Sequence, residues 1–157
     1  MWNSSRTVAA PPAEILHVLT HEDAIRRWSP VDFELLDHRS SRLHAGDVAR
    51  VEGRVAGMGV GFDVEVTAAD SESLALIASG PVDIDVRYEI ERAGDGSAVE
   101  ATVDIRGGRG MTGRVVATTV RALLAAGALD GALGRIAEAV EHDSAPQAQA
   151  AGELALA

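Results

Sequence analysis

A single tyrosine, Tyr88, is one of the few side chains of this sequence that could take part in acid–base chemistry. It stands in the segment 82–90, where apolar residues alternate with charged ones, and its phase places it on the apolar face of a strand. A buried phenol needs a hydrogen-bond partner, so Tyr88 could orient the carbonyl of a ligand or donate a proton to an enolate. A tyrosine at the end of a sheet, with its hydroxyl in water, fits the pattern equally well.

Carboxylates at two places are further candidates for acid–base work. Asp83 and Asp85 are two residues apart on one strand face, as paired acid and base groups can be. The alternation places them on the charged outer face, however, so a solvated surface is the favoured interpretation. Asp32 follows two predicted helices near the expected cavity mouth, where apolar surroundings would raise its pKa and make it a base. Solvation in a loop is again the favoured interpretation.

Two other motifs are weaker signals of function. His17 and His21 are four residues apart, which suits a metal ion on one helical face. A helix boundary is expected near Thr20, so the two histidines need not share a face, and no metal site is predicted. The segment 107–110 (GGRG) precedes a predicted long helix, so its backbone amides and Arg109 could hold an anionic group. A flexible connection from strand to helix is the favoured interpretation.

The segment 57–61 (GMGVG) resembles part of a dinucleotide-binding loop. It lies between two predicted strands, whereas phosphate binding requires a strand followed by a helix. A hairpin turn is therefore the better interpretation, and Met58 at its tip is expected to line the entrance of a pocket.

Hydrophobic periodicity divides the chain into a short strand, two short helices, a series of strands and a long helix. Three strands in the second half have one apolar and one charged face, which indicates an antiparallel sheet with one side in water. The predicted strands cover residues 5–10, 31–35, 48–56, 60–66, 74–79, 82–90 and 99–106, and the predicted helices cover 13–19, 21–28 and 112–141.

The long helix is predicted to cover the apolar face of the sheet. Its apolar positions recur at spacings of four and three, so they share one face. The side chains on this face are small in the first half of the helix and large in the second half. Small side chains opposite a sheet of Val and Ile leave space, and proteins seldom keep an empty void. A ligand pocket is expected there, unless the sheet approaches closely or the N-terminal helices fill it. The helix face consists of Val115, Thr119, Ala122, Ala126, Leu129, Leu133, Ile136 and Val140. The predicted pocket residues are Trp28, Met58, Phe62, Val64, Val86, Tyr88, Val103, Thr119, Ala122 and Ala126.

Composition narrows the classes of function. The chain has 157 residues, enough for one domain with a real core, and 24 acidic against 14 basic residues give a net charge of -10. This negative charge argues against nucleic-acid binding, and the absence of cysteine excludes disulfides and a thiol nucleophile. No signal peptide or membrane span is recognisable, so a cytoplasmic location is expected. Residues 1–143 are predicted to form the domain, and residues 144–157 a disordered tail.

The order of these elements resembles the START/Bet v 1-like (SRPBCC) superfamily, including its polyketide cyclase/dehydrase branch. The resemblance covers roughly residues 5–141 and is carried by the segments 8–15 (VAAPPAEI), 18–20 (VLT), 27–30 (RWSP) and 133–138 (LGRIAE). It implies an α+β helix-grip fold, in which an antiparallel sheet of about seven strands wraps around a long C-terminal helix. It also implies a hydrophobic cavity between the helix and the sheet.

The superfamily includes carriers, lipid binders, cyclases and interaction partners, so the resemblance leaves three functions open. The first is a carrier or sensor that binds a small hydrophobic molecule, lipid- or polyketide-like, in the cavity. The second is a polyketide aromatase/cyclase acting on a poly-β-ketone, with Tyr88, Thr119, Arg109 and Asp32 as its candidate polar groups. The third is a non-catalytic module whose protein partner binds the helix or the sheet edge. No cofactor is predicted, and the oligomeric state stays open.

Overall fold

The computed structural model describes residues 1–29, 33–36, 42–55 and 57–140. Seven strands and four helices follow one another in this part of the chain. The strands are β1 (Trp2–Val8), β2 (Phe33–Leu36), β3 (Val48–Val55), β4 (Met58–Ala69), β5 (Ser73–Ser79), β6 (Val82–Ala93) and β7 (Gly96–Gly108). The helices are α1 (Pro12–Thr20), α2 (Glu22–Trp28), α3 (Gly110–Ala125) and α4 (Ala128–Val140).

The strands form one antiparallel sheet in the order β1-β7-β6-β5-β4-β3-β2. Strands β2 to β7 pair in chain order as a meander, and β1 pairs with β7 at the far edge. Since β1 and β2 lie at opposite edges, α1 and α2 connect the two edges, and α1 packs against β5 and β6 on the way. Six strands have seven residues or more, and β2 is a four-residue edge strand. The predicted α+β helix-grip fold is confirmed.

Local sequence signals fix the ends of several elements. Pro12 occupies the first position of α1. The backbone N–H at this position has no partner within a helix, so proline, which lacks it, costs no hydrogen bond there. Asp70 closes the turn from β4 to β5, because its Oδ1 accepts backbone N–H groups of Glu72 and Ser73 at 2.9 Å each. These hydrogen bonds stabilise the ionised carboxyl and so lower the pKa of Asp70, and the hydrogen bond from the Glu72 backbone has the largest effect.

The long C-terminal helix is broken into α3 and α4, which are bent by 63° at Ala126 and Gly127. Gly127 has a φ of 94°, a left-handed conformation that an α-helix cannot continue. Its carbonyl oxygen accepts the N–H of Gly131 at 2.9 Å, so the same residue begins α4. The prediction of one continuous helix over 112–141 is therefore wrong, and residue 141 lies outside the described residues together with the predicted tail.

Two clusters of buried side chains pack the interior. The larger, here called the α4 cluster, joins α1, α2 and α4 to the sheet around the fully buried Ile15, Leu133 and Ile136. Ile84 and Ile105 pack against both clusters and so connect them. The smaller α3 cluster consists of Val60, Val82, Val116 and Ala117.

None of the described helices is, by itself, long and apolar enough to cross a membrane. Only α3 and α4 taken together, bent as they are, have the required length and composition.

Candidate ligand cavity

A cavity of about 380 Å³ lies between the apolar face of the sheet and the helices. It has room for roughly a dozen water molecules at their liquid volume. Its wall joins α2, the segment before β3, five strands and both C-terminal helices. The described wall residues are Ile25, Trp28, Ser29, Leu43, Asp47, Ala49, Val51, Phe62, Val64, Val66, Leu76, Ile84, Val86, Tyr88, Val103, Val120, Leu123, Leu124, Ala128, Leu129 and Ala132.

The sheet side of the wall follows from strict alternation along the strands. Every second residue of a strand points to the same face, so β4 contributes Phe62, Val64 and Val66, and β6 contributes Ile84, Val86 and Tyr88. Strand register then aligns these rows. Leu76 of β5 pairs with Val86, and Val86 pairs with Val103 of β7, so one apolar row crosses three strands.

The helix side of the wall straddles the bend between α3 and α4. Val120, Leu123 and Leu124 come from the end of α3, and Ala128, Leu129 and Ala132 come from the start of α4. The open space therefore lies where the helix changes direction, and not beside the run of small side chains on α3.

The prediction of which helix face lines the pocket is wrong on α3, and the break between α3 and α4 explains why. Thr119, Ala122 and Ala126 lie outside the cavity wall: Ala122 and Ala126 are exposed, and the Thr119 hydroxyl donates to the Val115 carbonyl at 2.9 Å. The wall on α3 is displaced by one residue, to positions such as Val120, which rotates the face by about 100°. The predicted face continued the α4 spacing backwards through Gly127, where the helix ends and its phase is reset.

Six of the ten predicted pocket residues lie together in the wall. Met58 does not line the cavity, because it begins β4 and packs against the α3 cluster. The six wall residues are Trp28, Phe62, Val64, Val86, Tyr88 and Val103.

Trp28 and Tyr88 form the aromatic corner of the cavity. Their rings meet edge to face, with centroids 5.7 Å apart and an interplanar angle of 74°. The Trp28 indole N–H donates to the Val18 carbonyl at 2.9 Å, so its polar atom is satisfied and its ring is fixed. This contact presents the apolar surface of the indole to the cavity.

Tyr88 brings a hydroxyl to the cavity wall that no described residue uses as a hydrogen-bond partner. The residue is 4% exposed, and its hydroxyl makes no hydrogen bond to any described residue. Burial raises the pKa of the phenol above its usual value, because the ionised form would lose its hydration. The hydroxyl therefore remains protonated and available as a donor to whatever occupies the cavity.

Arg109 and the paired aspartates lie outside the wall. Arg109 donates to Asp83 Oδ2 at 3.1 Å and to the Gly80 carbonyl at 3.3 Å, which ties the start of α3 to the turn before β6. The other oxygen of Asp83, Oδ1, is buried without a hydrogen-bond partner in the described part of the chain. Asp85 accepts a hydrogen bond from Arg106 at 2.8 Å. Asp32 lies outside the described residues.

His17 and His21 are closer than the sequence suggested. The helix boundary lies at Thr20 as expected, and the two rings nevertheless stack across it with centroids 3.6 Å apart. The His21 Nδ1 lies 2.9 Å from the His17 carbonyl oxygen. Across residues 1–29, 33–36, 42–55 and 57–140, no group of three or more His, Asp or Glu side chains could hold a metal ion.

Several wall residues were missed by sequence reasoning. Leu76 and Ile84 could have been found, since they belong to the apolar rows of β5 and β6. Leu43 and Asp47 precede β3 in an irregular segment, where no periodicity indicates which side chains point inward. Asp47 is held there because its Oδ2 accepts the backbone N–H of His44 at 2.8 Å.

A second depression, an open groove of about 780 Å³, lies on the outer face of the sheet around the turn between β4 and β5. Its wall is charged, with five carboxylates and two arginines. Apolar residues such as Ile90 and Val99 also line it, but they are mixed with these charged groups. The interior cavity, whose wall is almost wholly apolar, is therefore the stronger candidate for a hydrophobic ligand site.

Comparison with known families decides the affiliation of the chain. The family model described as polyketide cyclase/dehydrase and lipid transport matches residues 2–141. The chain belongs to this family. The START/Bet v 1-like resemblance of the sequence is thereby confirmed, and the family supports a fold that binds hydrophobic ligands. No curated protein sequence matches the chain.

Solved structures share the fold at low sequence identity. A START superfamily protein from Mycobacterium smegmatis is 18% identical with a TM-score of 0.65, over 89% of this chain and 96% of its own. TTHA0849 from Thermus thermophilus is 16% identical with a TM-score of 0.67, over 91% and 98%. Ara h 8.0201 is 15% identical with a TM-score of 0.61, over 90% and 97%. These likenesses show the fold alone.

Proposed function

We propose that this family member is a carrier or sensor that binds a small hydrophobic molecule, lipid- or polyketide-like, in the cavity between the sheet and the C-terminal helices. The cavity itself carries the proposal, because its volume of about 380 Å³ is that of a small-molecule site and its wall is almost wholly apolar. Proteins seldom keep an apolar hollow of this size without a use, since the side chains around it lack contacts that a ligand would supply.

Cyclisation of a polyketide is less well supported than binding. Such a reaction needs several inward polar groups, to polarise carbonyls and to remove an α-proton. Of the candidates, Arg109 and Thr119 lie away from the wall, which leaves Tyr88 as the described candidate that faces the cavity. Asp47 adds a carboxylate to the wall, and it already accepts a hydrogen bond from the His44 backbone.

A purely protein-binding role is also less well supported. That role goes with a filled interior and a contiguous exposed apolar patch. The cavity wall instead includes half-buried side chains such as Phe62, Val64 and Val86, which lie on the inner face of the sheet. An interior of this kind favours a small molecule as the partner.

Native mass spectrometry of the purified protein tests the proposal, followed by denaturing extraction of any bound molecule. We expect a lipophilic molecule to co-purify, and to be lost from Val64→Phe, because the added ring occupies the cavity from β4. The matched control is Ala122→Phe, which adds the same ring on the exposed side of α3 and should retain the molecule. An empty wild-type protein that also fails to bind fatty acids, fatty ketones and aromatic polyketides would contradict the proposal.

A further inference from the structure

The cavity wall has one polar feature that an apolar ligand alone would not satisfy. Tyr88 is 4% exposed, and its hydroxyl lines the cavity with no hydrogen-bond partner among the described residues, so only a molecule inside the cavity can accept a hydrogen bond from it. Phenylalanine would fill the same space and leave no donor unsatisfied. The ring is oriented by its edge-to-face contact with Trp28, so the hydroxyl has a fixed position.

The charge of the wall has one sign. Asp47 is the only carboxylate among the described wall residues, and none of them is Lys, Arg or His. A ligand with an ionised carboxylate would find no counter-charge there, and moving that charge out of water would be costly. The net charge of -10 further disfavours an anion.

From these two observations, we propose that the cavity selects uncharged apolar molecules that carry a hydrogen-bond acceptor, such as a ketone or an ester, and that the Tyr88 hydroxyl donates to this acceptor. This inference rests on the proposed ligand-binding function and specifies its ligand class. Free fatty acids in their ionised form are excluded by the same wall. Tyr88 acts here as a specificity-determining residue, since a pocket with one buried donor penalises ligands that lack the acceptor.

Competition binding with a matched set of ten-carbon ligands tests the ligand class. The uncharged dye N-phenyl-1-naphthylamine reports cavity occupancy, and 2-decanone, decane and decanoate compete with it at neutral pH. We expect 2-decanone and decane to displace the dye from the wild-type protein and decanoate to displace it far less. In Tyr88→Phe, the affinity for 2-decanone should fall about 5- to 10-fold, the value of one hydrogen bond, while the affinity for decane is unchanged.

An infrared measurement on the wild-type protein makes the test independent of how the variant folds. The carbonyl stretch of bound, carbon-13-labelled 2-decanone should lie below its frequency in hexane, because a hydrogen bond from Tyr88 weakens the C=O bond. A hexane-like frequency would overturn the assignment of Tyr88 as donor.

The outcomes separate this inference from the proposed function. Equal loss of 2-decanone and decane in Tyr88→Phe, or equal affinities of the wild type for decanoate and 2-decanone, would overturn the ligand class while leaving a binding cavity. Failure of the dye and of all three ligands to bind the wild-type protein would contradict the proposed function itself, and the inference with it.

Discussion

Tyr88 and Trp28 show how single residues define the chemistry of an otherwise featureless cavity. The indole N–H of Trp28 is already used by the Val18 carbonyl, so that side chain offers only its ring. The hydroxyl of Tyr88 has no such partner among the described residues. One side chain therefore shapes the cavity, and the other supplies its free hydrogen-bond donor.

The protonation of Tyr88 gives a prediction that absorbance can check directly, because this is the only tyrosine of the chain. Burial raises the pKa of its phenol. In the native protein we expect no tyrosinate absorbance at a pH of about 11, where an ordinary tyrosine is mostly ionised. The signal should appear once the protein is unfolded at the same pH. A native titration with a midpoint near pH 10 would contradict the burial of this side chain.

The same shift links stability to alkaline pH. Below a pH of about 10 the phenol is protonated in both the folded and unfolded states, so its contribution is fully present. Above that pH the unfolded chain loses the proton and the folded protein keeps it, so the free energy of unfolding falls as the pH rises. Tyr88→Phe should show a smaller fall over this range, which chemical denaturation at a series of pH values measures.

At the residue scale, the sequence predicts sheet positions well and loop positions poorly. Phe62, Val64 and Val86 lie in the wall because the period of two in a strand fixes which side chains share a face. Leu43 and Asp47 lie in the wall because of where an irregular segment crosses the cavity, and no local pattern encodes that path.

Among the elements, α3 and α4 meet at a break and together supply the helix side of the cavity wall. Gly127 ends one helix and begins the next, and the 63° bend separates two apolar faces that differ in phase. The face of α4 was predicted correctly at Leu129, Leu133 and Ile136, which are buried. The face of α3 was predicted one residue early, because spacing alone does not show that a glycine adopts a positive φ rather than continuing a helix.

Two glycine substitutions test the role of the break. Gly127→Ala places a side chain at a φ of 94°, so we expect the free energy of unfolding to fall by about 1 kcal/mol. Gly131→Ala is the matched control, since Gly131 lies within α4 and a Cβ there would meet no atom within 4 Å. It should stabilise the protein by about 0.5–1 kcal/mol through helix propensity. Thermal and denaturant unfolding measure both effects, and equal stabilisation by the two variants would argue against the break.

At the scale of the whole molecule, the topology explains which elements pack around the cavity. The first and second strands form opposite edges, so α1 and α2 must connect these edges, and with α4 they pack the larger cluster. The first half of α3 packs the smaller one. The cavity wall includes Trp28 and Leu129 from the α4 cluster, together with Phe62 and Val120, which pack against the α3 cluster.

The overall arrangement and the sheet side of the cavity could be predicted from the sequence, whereas the helix side of the cavity wall could not. Alternating strands and a final amphipathic segment sufficed for a sheet covered by helices. The open space depends on the direction in which α3 and α4 cross the sheet, and a bend of 63° at Gly127 sets that direction. The space was expected beside Ala122 because the sequence predicted one straight helix over residues 112–141.

Quenching of Trp28 fluorescence by a brominated ligand tests most directly whether small hydrophobic molecules enter this cavity. Trp28 lies in the wall and Trp2 does not, so a Trp2→Phe background leaves one tryptophan that reports from the cavity. Titration with 1-bromodecane should quench it to saturation. Adding Val64→Phe to this background should abolish the effect, and adding Ala122→Phe should preserve it. Quenching that does not saturate, or that persists unchanged with Val64→Phe, would contradict the account.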